Sequence, residues 1–231
     1  MSTSEVKAEV DALNSRWVDP DKLGVLNHNS IMELFAGDWL AAMDSLSEMP
    51  AHMDAELDRI YNVMMQFAAK LNKSGGSNVL NAWNDPEIPE LAPGQAPMDS
   101  AKAETTTLAY KLMFHAHSLK GAARSLHITR VAAAASNLEQ MAICLRSIKR
   151  VANENPSQAV PAENVARQLT SKFQGMLNQL KQLRTEFVNY LASLQPPATG
   201  DPTSAASADP AEEDGVEYEY VEEEVEEGEG N

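Results

Sequence analysis

Several features of common protein classes are missing from this sequence, and each absence excludes something. Cys144 is the only cysteine, so no internal disulfide forms, and its place in a helical pattern predicts a packed thiol. No uninterrupted apolar run reaches the roughly 18 residues that a membrane-spanning helix needs. The polar, acidic first residues are typical neither of a secretory signal nor of an Arg-rich transit peptide. We therefore expect a cytoplasmic protein without a membrane span.

Metal-binding patterns are equally scarce. The chain has neither a pair of cysteines nor a His-Glu-x-x-His motif, and His115 and His117 lie on opposite sides of a predicted helix. The sequence therefore predicts no metal site.

The net charge of −16 is concentrated at one end of the chain. Residues 201–231 contain 13 acidic residues and no Lys or Arg, which leaves 21 acidic against 18 basic residues in the rest. Such an acidic segment repels nucleic acid and anionic lipid, so we expect neither as a partner. Residues 196–231, rich in Pro, Ala, Ser and then Glu, are predicted to be a disordered acidic tail. The tail either keeps the protein soluble or carries a short interaction motif around Val216–Tyr220.

Apolar residues recur at alternating spacings of three and four in four long stretches, which is typical of amphipathic helices. Residues 73–100 between the first two stretches are rich in Pro and Gly and predict a loop, with a short strand or helix near 79–83. We predict an all-α protein in which residues 49–195 form an antiparallel four-helix bundle. Its helices are expected at about 50–71 (with Pro50 at the first position), 100–126, 129–153 and 169–194.

Residues 1–48 form an N-terminal extension whose structure is harder to predict. Pro20 and Gly24 interrupt any long helix, yet the many large apolar residues argue against a disordered arm. We expect a partly helical extension that either folds back on the bundle or binds a partner. The sustained heptads also permit a coiled-coil dimer, although we expect a monomer.

His117 lies on the solvent-facing side of the second predicted helix. Its apolar stripe is expected to comprise Leu108, Leu112, His115, Leu119, Ala122 and Leu126. Because His117 is about 200° around the helix from both His115 and Leu119, it points away from this stripe. Lys120, Gly121 and Arg124 are expected to share its outward face. An exposed imidazole thus has two cations beside it and a residue without a side chain one turn along.

The segment His117-Ser-Leu-Lys-Gly-Ala-Ala123 resembles the signature of histidine phosphotransfer (HPt) domains, including that of chemotaxis kinases. Val131, Ala135, Leu138 and Glu139 on the next helix also match the family pattern, and the resemblance covers about residues 50–195. Two positions depart from the pattern: the family usually has a small residue where this chain has Arg124, and Gly ten residues after its histidine, where this chain has His127. Either His127 adopts a strained turn or the loop differs here.

The resemblance implies a phosphorelay role with no chemistry beyond group transfer. His117 would accept a phosphoryl group from a receiver-domain aspartate, or from a kinase, and pass it to a response regulator. Lys120 would stabilise the phosphoryl group, and Gly121 would let the partner approach. Arg124, which the helical spacing places on the same face, would add a second stabilising cation. The expected partners are receiver domains and a sensor histidine kinase, and no cofactor is expected on this chain because the receiver brings the Mg²⁺.

Two other functions compete with this one. A histidine kinase would normally have Pro five residues after the histidine, where this chain has Ala122, and the sequence has no Gly-rich ATP-binding pattern. A non-catalytic scaffold that keeps the same fold is the second alternative. The presence of His117, Lys120 and Gly121 together favours the phosphocarrier over both.

Overall fold

Eight α-helices and two short 3-10 turns account for most of residues 5–86 and 99–194, the parts of the chain that the computed structural model describes. These residues include no strand, so the predicted all-α fold class is confirmed. None of the helices described is long and apolar enough to cross a membrane. In chain order the helices are α1 (Glu5–Arg16), α2 (His28–Leu34), α3 (Trp39–Lys73), α4 (Val79–Asn84), α5 (Ser100–Glu104), α6 (Leu108–Ser125), α7 (Thr129–Glu154) and α8 (Ala159–Leu194).

Helices α3, α6, α7 and α8 form the bundle, and each packs against two of the others. Cross-helix hydrogen bonds define their directions: Glu56 meets Ser118 and Gln66 meets Lys111, so α3 and α6 are antiparallel. Buried apolar side chains from all four helices fill one continuous core. The predicted helical bundle is therefore confirmed.

Two bundle helices begin well before their predicted first residues. Helix α3 starts at Trp39, where the Asp38 side chain accepts a hydrogen bond from the Ala41 N–H at 3.0 Å. The prediction that Pro50 occupies the first helical position is wrong, because the proline lies inside α3. The boundary predicted between residues 48 and 49 falls within this helix. Helix α8 likewise starts ten residues before Leu169, at Ala159.

The second bundle helix begins later than predicted. Thr107 accepts a hydrogen bond from the Tyr110 N–H at 3.2 Å and caps α6, which separates α6 from the short helix α5. Within the predicted loop, residues 79–84 form α4, so the helical alternative is the correct one there. Trp83 of α4 is fully buried and stacks on Phe67. Residues 87–98 and the predicted acidic tail, 196–231, lie outside the described residues.

The N-terminal extension folds back on the bundle. Val6 and Leu13 of α1 are buried, and α1 packs mainly on α7. The segment after α1 follows the first half of α7, where Val18 exchanges two backbone hydrogen bonds with the side chain of Asn137, at 3.1 and 2.6 Å. Arg130 bonds the Pro20 carbonyl oxygen at 3.2 Å. Of the two alternatives for this segment, the described residues therefore display the first.

His127 adopts the strained turn that the sequence left open. Its φ of +52° lies in the left-handed region that favours glycine. The turn ends α6, because the Ile128 N–H reaches back to the Ala123 carbonyl oxygen at 2.8 Å. The His127 carbonyl oxygen accepts a hydrogen bond from the Asn27 N–H at 3.0 Å, so the N-terminal extension supports this turn.

Candidate functional site

The face of α6 that packs into the core differs slightly from the predicted stripe. Its fully buried positions are Leu108, Ala109, Leu112, Ala116, Leu119 and Ala123. His115 is not one of these positions and therefore lies at the edge of the buried face. Its imidazole reaches a carboxylate of α3. His117 lies on the outer side, and 67% of its side chain is exposed to solvent.

Glu139 of α7 holds the imidazole of His117 in place. The Nδ1 atom of His117 lies 2.7 Å from Oε1 of Glu139, while the other carboxylate oxygen accepts a hydrogen bond from Lys120. Only 7% of the Glu139 side chain is exposed, because its neighbours on α7 pack into the core. A rigid, buried carboxylate thus orients an exposed histidine from a different helix.

The charge of Glu139 is stabilised by its two partners. Burial raises the pKa of this carboxyl, but the hydrogen bonds and charges of Lys120 and His117 outweigh burial and lower the pKa below its ordinary value near 4.5. Glu139 is therefore ionised at neutral pH. An ionised carboxylate only accepts hydrogen bonds, so the proton of a neutral His117 ring lies on Nδ1.

This protonation leaves a lone pair on Nε2 of His117. The Nε2 atom makes no hydrogen bond within the part of the chain that the structure describes. A neutral imidazole with a free, solvent-facing nitrogen is a nucleophile towards electrophilic phosphorus. The Glu139 carboxylate also lies where it stabilises the positive ring that forms when Nε2 is substituted. The arrangement is suited to group transfer at Nε2.

The other predicted site residues lie at different distances from His117. Lys120 contacts Glu139 and is only 14% exposed, so it lies between α6 and α7 and not fully on the outward face. Gly121 is exposed, one turn after His117. Arg124 is exposed two turns away, about 10 Å along the helix axis, and makes no side-chain hydrogen bond or ion pair within the described residues. The structure brings Lys120 to the site and leaves Arg124 apart.

His115 has a similar arrangement on the opposite side of α6. Its Nδ1 atom lies 2.9 Å from the buried carboxylate of Glu56, which also accepts hydrogen bonds from Ser118 and Arg59. Only 20% of the His115 side chain is exposed, however, against 67% for His117. The Glu56 cluster therefore joins α3 to α6 and leaves far less of its histidine open to a partner.

Apolar side chains beside His117 were only partly predictable. Ala116, the residue just before His117, is fully buried and unavailable to a partner. Phe114 lies one turn before His117 on the same face and is 56% exposed, which is unusual for so large an apolar side chain. Sequence reasoning missed Phe114, although its i−3 spacing from His117 was a usable signal.

The role of Glu139 was the more important omission. The sequence marks Glu139 only as a position in a family pattern, beside Leu138. A usable signal was present, because a single carboxylate occurs on a helix face otherwise occupied by Ala132, Ala135 and Ala142. A charge on an apolar face needs a partner, and α6 offers a histidine and a lysine at one-turn spacing.

Comparison with known proteins gives one match. Residues 100–186 match the sequence model of a family described as the Hpt domain. The match covers α6, α7 and most of α8, a narrower range than the resemblance over about 50–195. No curated protein and no solved structure matched the chain. Among the described residues, no three His, Cys, Asp or Glu side chains converge to hold a metal ion.

Proposed function

We propose that residues 100–186, which match the Hpt domain model, act as a phosphocarrier module of a phosphorelay and that His117 is the phosphoacceptor. His117 takes a phosphoryl group from the aspartyl phosphate of a receiver domain, or from a kinase, and passes it to a response regulator. The observation that carries this proposal is the pairing of an exposed Nε2 with a buried carboxylate on Nδ1.

The transfer needs no proton to leave the protein. The Nε2 lone pair of His117 attacks phosphorus, the bond between phosphorus and the aspartyl oxygen breaks, and its electron pair leaves with the aspartate carboxylate. The ring keeps its proton on Nδ1 and becomes positively charged, which strengthens the hydrogen bond to Glu139. Donation to the next receiver reverses these steps, with a new aspartate oxygen as the nucleophile.

Lys120 supplies a cation for the incoming group. Its ammonium carries three N–H donors, one of which binds Glu139, so others remain to bind phosphoryl oxygens. A phosphoryl group carries a charge of about −1.5 to −2, and charge-assisted hydrogen bonds to it are strong. Arg124 reaches the phosphoryl group only if its side chain extends back along α6, so its predicted stabilising role is the weaker of the two.

Gly121 supports the approach of a partner. A Cβ atom built on Gly121 would meet no atom within 4 Å, so the packing of this chain does not require glycine there. Glycine inside an exposed helix costs about 1 kcal/mol relative to alanine. The packing of this chain thus gives no reason for a glycine that destabilises its helix. Close contact with a receiver domain at this surface would give one.

The alternative of a non-catalytic scaffold predicts a different site. A scaffold needs the bundle but does not need an exposed histidine whose tautomer is fixed by a buried carboxylate. The remaining expectations accompany the phosphocarrier proposal: a cytoplasmic monomer, receiver domains and a sensor histidine kinase as partners, and Mg²⁺ on the receiver.

The test is phosphoryl transfer from a receiver domain charged with acetyl phosphate. We expect the wild-type protein to take the label and His117→Gln to take none. His115→Gln is the matched control, and it should keep transfer while losing some stability, because it breaks the contact with Glu56. Lys120→Ala should slow transfer without abolishing it. ATP alone should leave the protein unlabelled.

Chemical stability of the product identifies the linkage. A phosphohistidine is acid-labile and base-stable, whereas a phosphoserine at Ser118 would survive acid. Label that persists in His117→Gln, or a wild-type protein that no receiver domain in a broad panel can charge, would contradict the proposal and favour the scaffold.

A further inference from the structure

An open groove lies beside the candidate site, between the end of α6 and the start of α7. Its volume is about 330 Å³. Ala132 and Ser136 of α7 line the groove, and Ser136 is one turn before Glu139. On the α6 side it is lined by Ala123 and Arg124, which begin one turn after Lys120. The groove therefore continues directly from the site along both helices.

The N-terminal extension supplies the outer wall of this groove. Val18 and Leu23 line it and are still 41% and 38% exposed. The extension lies outside the residues that match the family model, so this wall is a feature added to the matched domain.

The backbone that carries these two side chains is fixed. Asn137 holds the backbone of Val18 with two hydrogen bonds. Arg130 binds the Pro20 carbonyl oxygen at 3.2 Å and the Asp21 carboxylate at 2.6 Å, and Thr129 donates to the Gly24 carbonyl oxygen. A wall held in this way loses little conformational freedom when a partner covers it.

The groove is largely apolar, with one cation at its rim. Arg124 lines it, and no Asp or Glu does. Arg124 has no ion-pair partner among the described residues, so its charge is available. The partner that this surface fits presents apolar side chains next to a negatively charged centre. A receiver domain, whose phosphorylated aspartate is the donor in the proposed function, has such a centre.

An interface of standard size around His117 is also large enough to cover the groove. An interface of standard size covers about 800 Å² on each partner, which corresponds to a patch of roughly 16 Å radius. Centred on His117, such a patch extends beyond Arg124, which lies about 10 Å along α6. A receiver domain that reaches Nε2 of His117 therefore extends over the groove.

We propose that this groove binds the receiver domain and that Val18 and Leu23 determine how tightly it binds. The inference depends on the proposed function of His117. It assigns part of the partner-binding surface to the N-terminal extension, outside the matched Hpt region.

The test compares matched substitutions of valine. Val18→Asp places a charge on the groove wall, whereas Val160→Asp places the same charge on an exposed site at the start of α8, beyond the opposite end of α7. Leu23→Asp is a second groove variant. The probe is the receiver domain that charges the wild-type protein, loaded with acetyl phosphate, and the initial transfer rate is measured against receiver concentration.

We expect Val18→Asp and Leu23→Asp each to raise the half-saturating receiver concentration roughly tenfold, because a docked receiver would bury an unpaired charge against the apolar groove. The rate at saturation should stay within about twofold, because no group at His117 changes. Val160→Asp should behave as wild type. Labelling by phosphoramidate, a small donor that needs no docking, should be equal in all variants, and circular dichroism should give the same helicity.

Three outcomes overturn the inference. Groove variants that match Val160→Asp mean that the receiver does not use this wall. Groove variants that lose phosphoramidate labelling or helicity mean that the substitutions act through the fold. A wild-type dimer that Val18→Asp converts to a monomer means that a second copy occupies the groove. Failure of the proposed function is distinct from these outcomes, since it appears as labelling that does not need His117 or as a wild-type protein that no receiver domain can charge.

Discussion

Replacing Glu139 with glutamine separates the electrostatic role of this residue from its shape. The two oxygens of the carboxylate serve two donors, Nδ1 of His117 and the ammonium of Lys120. Glutamine offers only one acceptor oxygen, and its NH₂ group only donates. The charged Lys120 competes better for the oxygen, so the NH₂ group turns towards His117. The histidine then accepts at Nδ1, and its proton moves to Nε2, which loses the nucleophilic lone pair.

The size of the effect follows from the hydrogen bond that is lost. Hydrogen bonds to charged groups contribute about 1.5–3 kcal/mol, which corresponds to roughly 10- to 150-fold in rate. His117 is 67% exposed, and solvent screening favours the lower end of this range. We therefore expect Glu139→Gln to slow phosphoryl transfer about 10- to 30-fold at saturating receiver. Its stability should fall by about 1–2 kcal/mol, since Lys120 keeps one acceptor.

The assay is single-turnover transfer from a charged receiver domain, with Glu56→Gln as the matched control. Glu56 is also buried and also binds a histidine of α6, but that histidine is His115. We expect Glu56→Gln to lose similar stability and to keep its transfer rate within about threefold. Equal slowing in both variants would refute the tautomer argument and assign the effect to packing. An unchanged rate in Glu139→Gln would refute it as well.

Three further predictions concern other residues. Gly121→Leu should fold normally and block transfer by obstructing the receiver, whereas Gly175→Leu, at another exposed helix position with open space around it, should transfer as wild type in the same assay. Burial and the charge of Glu9 raise the pKa of Cys144 to about 12, so iodoacetamide at mildly alkaline pH should modify this thiol far more slowly than a thiol in unfolded protein; rapid modification, followed by mass spectrometry, would mean that the site opens. Because the pKa of Glu139 is lowered on folding, its contribution to stability is complete above about pH 4.5 and is lost as the pH falls through the lowered pKa. The acid unfolding of Glu139→Gln, monitored by circular dichroism, should therefore depend less on pH than that of the wild type, and an unchanged slope would contradict the pairing.

The bundle could be predicted from the sequence because apolar residues repeat at regular spacings along each long helix. Spacings of three and four placed a core face on each long helix and directed His117 to solvent. The ends of the helices were harder to predict, since they depend on single caps such as Asp38 and Thr107, which compete with other polar residues nearby. Pro50 was misleading for the same reason, because proline fits the first turn of a helix better than its interior.

The contacts between helices could not be read from periodicity. The hydrogen bond from His117 to Glu139 joins residues 22 positions apart, and it depends on the register in which α6 and α7 pack. The path of the N-terminal extension depends on Asn137 and Arg130, two polar residues whose partners are more than 100 positions away in the chain. Such long-range polar contacts leave no repeating pattern in a single sequence.

The central claim is that Nε2 of His117 receives the phosphoryl group. NMR spectroscopy tests this claim directly. The protein is labelled with the spin-½ isotope of nitrogen and charged by a phosphorylated receiver domain, and the coupling between phosphorus and one ring nitrogen is measured. We expect a single phosphorus resonance coupled to Nε2 of His117, with the Nδ1 proton still hydrogen-bonded to Glu139. Coupling to Nδ1 of His117, to a nitrogen of His115, or to no histidine nitrogen would contradict it.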